Sequence, residues 1–201
     1  IGFGPFRGCD KLEKIEVDSK NMYFKAVDGV LFNKNKSNLI CHPCRISHTT
    51  YQIPDSVTTI EENVFRKCNA LLNISVDSNN TKYFSVNGVL FNKDKTVLLY
   101  CPTGKSGEYT LPVGVESIDS YAFAYCKNIR NVTFADTINH IAYFSFLYCE
   151  SLGDFTLPSG LQRLEQQAFS HCISLTSVSI PDSVSFLNST FEGCTSLSYA
   201  Y

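Results

Sequence analysis

Residues 157–181 read LPSGLQRLEQQAFSHCISLTSVSIP, and this stretch decides the fold. It begins at Leu157-Pro158 and reaches the equivalent Ile180-Pro181 after 23 residues. Its central pattern, Phe-x-x-Cys followed three residues later by Leu or Ile, occurs six times in the chain. The last four cysteines of the pattern are separated by 23, 23 and 22 residues. A fixed period of this length indicates a repeat protein. The six cysteines are Cys9, Cys68, Cys126, Cys149, Cys172 and Cys194.

Two insertions explain the longer gaps of 59 and 58 residues at the start of this series. The position of Ile180 in the unit is filled by Val17 and again by Ile53, 36 residues later. It is likewise filled by Val76 and again by Leu111, 35 residues later. Subtracting these distances leaves a period of 23 in both gaps. One unit with insertions at residues 18–52 and 77–110 therefore accounts for residues 1–201, which we interpret as a single solenoid domain.

Each part of the unit predicts an element of local structure. The alternation in Leu-x-x-Ile-x-Val predicts a strand with every second side chain inside, and proline ends that strand because it cannot donate to a sheet. The spacing around Ala-Phe-x-x-Cys predicts a short α-helix or 3₁₀ turn. One unit cannot bury its apolar face alone, whereas about six stacked turns of 22–23 residues can. At a strand spacing of ~4.8 Å they would form a rod roughly 25–30 Å long.

Both insertions predict a small three-stranded β-meander. Asp28-Gly29 and Asn87-Gly88 separate two apolar runs, and such dipeptides favour the type I′ hairpin turn, in which two residues have positive φ. A second polar turn and a third apolar run follow in each insertion. Two interpretations stay open: a ligand-binding projection beside the solenoid, or an alternative type of repeat that continues the stack.

The unit resembles the BspA-type leucine-rich repeat, whose signature joins Ile-Pro, Val-x-x-Ile and Ala-Phe-x-x-Cys-x-x-Leu-x-x-Ile. Ile53-Pro54, Val57 and Ile60 match it in one copy, and Ala168-Phe169 in another. The resemblance implies an α/β fold, a right-handed leucine-rich-repeat solenoid with a parallel sheet on its concave side. It also implies a cell-surface or secreted protein of a host-associated bacterium or mucosal protist. Several such proteins are regarded as adhesins for host matrix proteins or other microbes.

The six repeat cysteines are expected to form a column with one thiol per turn. Their Cβ vectors would run parallel rather than converge, which favours free buried thiols over disulfides. Cys41, Cys44 and Cys101 lie outside this column. Cys41-His42-Pro43-Cys44, with His48 nearby, is a Cys-x-x-Cys motif for which structural thiols, a local disulfide and a metal site stay open. The aligned segment of the second insertion has Tyr100-Cys101-Pro102 instead, so the motif is not repeated.

Two columns of outward residues follow from the strand alternation. They can form a hydroxyl ladder that only solvates the sheet, or a weakly charged binding face of the kind solenoids present on their concave side. Tyr199 and Tyr201 continue the columns. The candidate binding residues are Lys14, Glu16, Asn73, Ser75, Asn131, Thr133, Asp154, Thr156, Ser177 and Ser179.

Composition narrows the functional classes. A net charge of −2 and a pI near 6.1 argue against nucleic acid as a partner, and no apolar run approaches the ~20 residues needed for membrane insertion. No nucleophile triad, phosphate-binding loop or dinucleotide motif occurs, so we expect neither an enzyme nor a cofactor. With the resemblance, this leaves a protein-interaction or adhesion module for protein or glycan ligands on host or microbial surfaces.

Other expectations concern the context of the chain. It begins at Ile1 and ends at Tyr201, both inside a unit and without polar caps, which predicts a segment of a longer array or end-to-end self-association. A purely structural segment of a longer surface protein is one alternative function. An intracellular scaffold is another, because unpaired thiols suit a reducing compartment. Sequons for N-glycosylation occur at Asn35, Asn73, Asn79, Asn131 and Asn188.

Overall fold

The computed structural model describes residues 4–6 and 8–201. Within them the chain forms sixteen short strands and no helix. Ile1, which the repeat aligns with Ile60, lies outside the described residues. In chain order the strands are β1 (Phe24–Val27), β2 (Val30–Asn33), β3 (Asn38–Cys41), β4 (Thr50–Ile53), β5 (Thr59–Ile60), β6 (Asn73–Val76), β7 (Tyr83–Val86), β8 (Val89–Asn92), β9 (Val97–Tyr100), β10 (Ser106–Thr110), β11 (Ser117–Ile118), β12 (Asn128–Thr133), β13 (His140–Ile141), β14 (Arg163–Leu164), β15 (Ser177–Val178) and β16 (Tyr199–Ala200).

Strands from successive turns of the solenoid form two parallel ladders. The first ladder is called here the strand face; it contains the pairs β4–β6, β10–β12 and β15–β16. Thr156 and Ser179 extend it with an isolated parallel bridge. The second ladder contains β3 and β5 in one sheet, and β9, β11, β13 and β14 in another.

The segments that lead into the Phe-x-x-Cys motifs from Phe65 onwards are tight arcs, not the predicted helix or 3₁₀ turn. Two residues in each regular arc have positive φ, for example Tyr121 at 60° and Tyr125 at 65°, and Phe144 and Tyr148 at 57° each. A left-handed residue every fourth position interrupts the right-handed helical path. The α/β label was therefore wrong for the described residues, which form a β-solenoid of about seven turns.

Backbone hydrogen bonds join each arc to the next. Phe123 N–H donates to the Ser145 carbonyl and Tyr125 N–H to that of Leu147, both at 2.7 Å. One turn later, Phe146 N–H repeats the first bond to Ala168 at 2.7 Å. The arcs thus satisfy their polar groups between turns, where a helix would do so within a turn.

From Phe123 to Phe191 the core contains a stack of phenylalanine rings, one for each turn. Phe123 and Phe146 have ring centroids 4.7 Å apart, and Phe146 and Phe169 4.8 Å apart, with 9° between the ring planes in both pairs. Phe191 extends the stack at 5.6 Å. The first three rings are fully buried. Their separation matches the spacing of hydrogen-bonded strands, so the rings follow the same rise as the ladders.

The insertions form the predicted meanders and continue the stack. The three strands of each insertion pair antiparallel, as β1–β2–β3 and β7–β8–β9. Both type I′ turns have positive φ at two residues, 49° and 80° at Asp28-Gly29 and 50° and 78° at Asn87-Gly88. Leu39 and Leu98 are fully buried, and their strands pair with β5 and β11 of the following turn. This favours the alternative-repeat interpretation over the lateral projection, and the extra strands explain why six turns was too few.

Replacing Phe146 by alanine removes a middle ring of the stack. We expect the free energy of unfolding to fall by about 3–5 kcal/mol, because the change deletes a buried ring and leaves a cavity. Phe186 is 70% exposed and provides the matched control; Phe186→Ala should cost less than about 0.5 kcal/mol. Urea unfolding followed by circular dichroism measures both values. Equal losses in the two variants would contradict the stack as a source of stability.

Candidate functional site

The structure places the candidate binding residues between the buried positions of the strand face. Ile74, Val132 and Val178 point into the core and are at most 2% exposed. The candidate residues beside them are exposed or half-buried. Lys14 and Glu16 precede the first strand and form an ion pair at 2.6 Å. The alternation in the sequence therefore identified the outward side chains, whereas their role in binding stays a prediction.

Register brings further polar residues into the same columns. Thr110 pairs with Thr133 and Glu108 with Asn131, while Thr50 and Gln52 pair with Asn73 and Ser75. Sequence reasoning missed the partners on β4 and β10 because they lie at the ends of the insertions. The signal was present: Tyr51-x-Ile53-Pro54 and Tyr109-x-Leu111-Pro112 repeat the alternation that precedes Pro158 and Pro181.

The hairpin tips of the insertions reach the strand face. Ile15 N–H donates to the Gly29 carbonyl, and Ile74 N–H to the Gly88 carbonyl, each at 2.9 Å. A Cβ atom on Gly88 would lie 2.2 Å from Oδ1 of Asn73, so this close approach needs glycine. The tips thus lie beside the candidate residues of segment 14–17 and of β6. The part of the strand face from β12 onwards contains no insertion.

Asp154 is the most strongly bonded polar residue of the strand face. Its carboxylate accepts hydrogen bonds from the backbone N–H and the hydroxyl groups of Thr176 and Ser177, at 2.7–3.0 Å. The bond from Ser177 N–H contributes most to lowering the pKa of this carboxyl to about 2. Asp154 therefore fastens one turn to the next, although it is exposed to solvent.

The cysteine column lies against the arcs. In the described part of the chain all nine cysteines are free thiols, and Cys126, Cys149 and Cys172 are fully buried. The Cys149 thiol donates to the Phe123 carbonyl at 3.1 Å, and the Cys172 thiol to that of Phe146 at 3.3 Å. These two thiols thus bond to a backbone carbonyl of the preceding turn. Burial raises the pKa of Cys126 and Cys149.

The Cys-x-x-Cys segment has poor conditions for thiol chemistry. Burial raises the pKa of Cys41 to about 11 and also raises that of Cys44, so both thiols are protonated at neutral pH and are weak nucleophiles. Burial lowers the pKa of His42 to about 4, and its ring packs on Tyr51 with centroids 4.9 Å apart. Residues 4–6 and 8–201 contain no group of three or more His, Cys, Asp or Glu side chains arranged to hold a metal ion.

A second aromatic stack lies on the outside of the arcs. Tyr125, Tyr148 and His171 stack with centroids 5.4 and 4.4 Å apart. Arg66 covers the outer face of the Tyr125 ring at 5.0 Å, and Gly193 lies against the ring of His171. Both end faces are thus occupied, so the stack presents ring edges and supports the fold; it offers no open ring face to a ligand.

A family model described as BspA type leucine rich repeat region matches the chain in six copies, over residues 1–87 and 100–201. Comparison with curated proteins finds no match. The described residues also contain no helix of the length and hydrophobicity that a bilayer crossing requires.

Solved structures of bacterial repeat proteins are similar to this chain. A leucine-rich repeat protein from Eubacterium ventriosum is 24% identical, with a TM-score of 0.68, over 82% of this chain and 52% of its own. The pneumococcal vaccine antigen PcpA is 28% identical, with a TM-score of 0.71, over 83% and 40%. A leucine rich cell surface protein from Faecalibacterium prausnitzii is 21% identical, with a TM-score of 0.65, over 97% and 61%. The chain thus spans about half the length of these proteins.

Removing the Asp154 carboxylate should weaken the junction between two turns. We expect Asp154→Ala to lower the free energy of unfolding at pH 7 by about 1 kcal/mol, since exposed hydrogen bonds are partly screened by water. Asp136→Ala, at an exposed carboxylate elsewhere, is the control. Thermal unfolding measures both variants against the unchanged protein.

The same variant predicts a pH dependence. The pKa of Asp154 is about 2 in the folded chain and about 3.9 when unfolded. Its contribution is therefore fully present above pH ~4 and is lost as the pH falls towards ~2. The stability difference between Asp154→Ala and the unchanged protein should shrink in that window, and a difference that stays constant down to pH ~2 would refute the assignment.

Proposed function

This chain belongs to the BspA-type leucine-rich-repeat family, and on that premise we propose that it is a non-enzymatic protein-interaction module that binds partners through the strand face. One observation carries the proposal. The polar side chains of the strand face are held in register above a closed core, as in the pairs Thr110–Thr133 and Thr156–Ser179. Extended sheet surfaces of this kind are what solenoid proteins use for binding.

Rigid display is the proposed mechanism. The phenylalanine stack and the bonds between arcs fix each turn on the next, so the strand face needs little reorganisation to bind. Preorganised surfaces lose less conformational entropy on association. The face has few charges, and the carboxylate of Asp154 is already bonded to Thr176 and Ser177. Hydrogen bonds and shape, more than charge, would therefore select the partner.

The proposed partners are proteins or glycans on host or microbial surfaces, and the proposed role is adhesion. The family resemblance supports this proposal, and it also supports a location on the cell surface or among secreted proteins. The similarity to the pneumococcal vaccine antigen supports that location. The described residues hold no cluster suited to a metal ion, and the Cys41 thiol is poorly reactive, so we propose no catalytic role.

A purely structural segment of a longer surface protein is the second candidate. The observation in its favour is the coverage of only 40–61% of the chains of the three similar proteins. In that case the ligand would bind to another part of the complete protein, and changes on the strand face of this segment would leave binding intact.

Lysine substitutions on the strand face separate the two candidates. Thr133→Lys and Thr156→Lys add long charged side chains at the centre of the face, where both residues are exposed. We expect the double variant to lose about tenfold or more in affinity for a ligand captured from host matrix or mucosal proteins. Tyr143→Lys, at an exposed position on an arc, is the control and should bind normally.

Binding is measured by surface plasmon resonance, with circular dichroism to show that each variant is folded. Normal binding by the double variant, or an equal loss in the arc control, would contradict the strand face as the binding surface.

A further inference from the structure

The second insertion leaves a gap in the row of arcs because its own arc is shorter. Ile118 and Phe123 are five residues apart along a regular arc. Leu98 pairs with Ile118, and Cys101 N–H donates to the Ala122 carbonyl at 2.7 Å. That bond is the counterpart of the one from Phe123 N–H to Ser145. Cys101 therefore occupies the position in its arc that Phe123 occupies in the next arc. Because Cys101 follows Leu98 by only three residues, its arc is two residues shorter than a regular arc.

The missing backbone opens a cavity that we call the notch. Its volume is about 270 Å³. Glu61, Glu62 and Asn63 of the preceding arc line one wall. Asp119, Ser120 and Tyr121 of the following arc line the other wall, and Leu99 and Tyr100 of the shortened arc lie between them. The notch is on the arcs, so it is separate from the strand face.

Backbone groups on both walls lose the partners they have elsewhere in the row. In successive regular arcs, Tyr121 N–H donates to Tyr143, Phe144 N–H to Gln166 and Gln167 N–H to Asn188, at 3.2–3.4 Å. At the notch, the Asn63 N–H is equivalent to these donors, and the Ser120 carbonyl is equivalent to these acceptors. Within the described ranges, neither the Asn63 N–H nor the Ser120 carbonyl has a backbone partner. The walls therefore offer one donor and one acceptor, facing the space of the two missing residues.

The rim of the notch is acidic. Glu61 accepts a hydrogen bond from Asn38 at 2.8 Å, Glu62 from Asn63 at 3.1 Å, and Asp119 from Ser120 N–H at 2.8 Å. Among the described residues none of these three carboxylates forms an ion pair. Among the described lining residues only Arg66 has a guanidinium, and that group donates a hydrogen bond to the Tyr125 hydroxyl at 2.6 Å.

We propose that the notch binds an extended polypeptide segment of a partner protein that carries a basic side chain. The missing element is itself two residues of polypeptide, so a peptide supplies a carbonyl for the Asn63 N–H and an N–H for the Ser120 carbonyl. Main-chain bonds of this kind give affinity in strand-addition complexes. The basic side chain pairs with the carboxylates of Glu61, Glu62 and Asp119, which adds charge complementarity.

A similar gap beside the first insertion is lined by Cys41, His42 and Glu62. Arg7, between Phe6 and Cys9 in the sequence, lies outside the described residues, so no charge is assigned to that gap. The proposal is therefore made for the notch alone.

A library of random octapeptides displayed on phage tests the proposal. Ser120→Tyr fills the notch, and the fold accepts tyrosine there, since Tyr143 occupies the same position one arc later. Gln166→Tyr makes the same change where the neighbouring arc is complete, and it is the matched control. We expect selected peptides to contain Lys or Arg and to lose about tenfold or more in affinity for Ser120→Tyr. Affinity for Gln166→Tyr should stay within about twofold.

Charge variants and amide exchange locate the bound peptide. Glu62→Gln and Asp119→Asn should each weaken binding by about threefold, as expected for exposed charges. The Asn63 amide hydrogen should exchange rapidly in the free protein and slowly in the complex. Thr133→Lys and Thr156→Lys should leave peptide binding unchanged, which separates failure of the notch from failure of the strand face.

Three results would overturn the proposal. The first is a selection without enriched peptides. The second is equal affinity for Ser120→Tyr and the unchanged protein. The third is complete displacement of the peptide by spermidine while the Asn63 amide stays unprotected, because this would show a site for positive charge without main-chain recognition.

Discussion

The spacing of about 4.8 Å between successive turns is the constraint on which the rest of the structure depends. It is the distance between hydrogen-bonded strands, and it is also a favourable distance for stacked aromatic rings. The Phe123, Phe146 and Phe169 rings lie 4.7 and 4.8 Å apart, nearly parallel. Residues at the same repeat position therefore form a column, and each must pack against the equivalent residue of the next turn. The thiol column and the outer stack of Tyr125 and Tyr148 follow the same rule.

Where the repeat is irregular, the chain presents groups that its own next turn does not bond. The hairpin tip at Asn87-Gly88 bonds to the strand face at Ile74. On the opposite part of the same turn, the arc that ends at Cys101 is too short to satisfy the Asn63 N–H and the Ser120 carbonyl. One insertion thus shapes two surfaces at once. The strand face and the notch are separate surfaces, so the two proposed sites would allow the chain to bind two partners or to hold one partner at two points.

The period of the sequence was enough to place the columns, because a solenoid converts spacing along the chain directly into position. It correctly separated buried Val132 from outward Thr133, and it identified the type I′ turn at Asn87-Gly88. It was wrong about the arcs, since the left-handed φ of Tyr121 and Tyr125 is imposed by bonds to the next turn and has no glycine to signal it. The notch could not be predicted from the sequence either, because it depends on which residues of the insertion align with Ile118 and Phe123.

A double-mutant cycle on adjacent rings tests the central claim most directly. Phe123→Leu and Phe146→Leu are measured singly and together by urea unfolding, with Phe123→Leu and Phe191→Leu as a control pair that does not share a ring contact. Direct stacking predicts that the adjacent pair is coupled by about 1 kcal/mol. The control pair should be additive within about 0.3 kcal/mol. Additivity of Phe123 and Phe146 would contradict the account, because it would mean that the rings fill the core without stabilising the contact between turns.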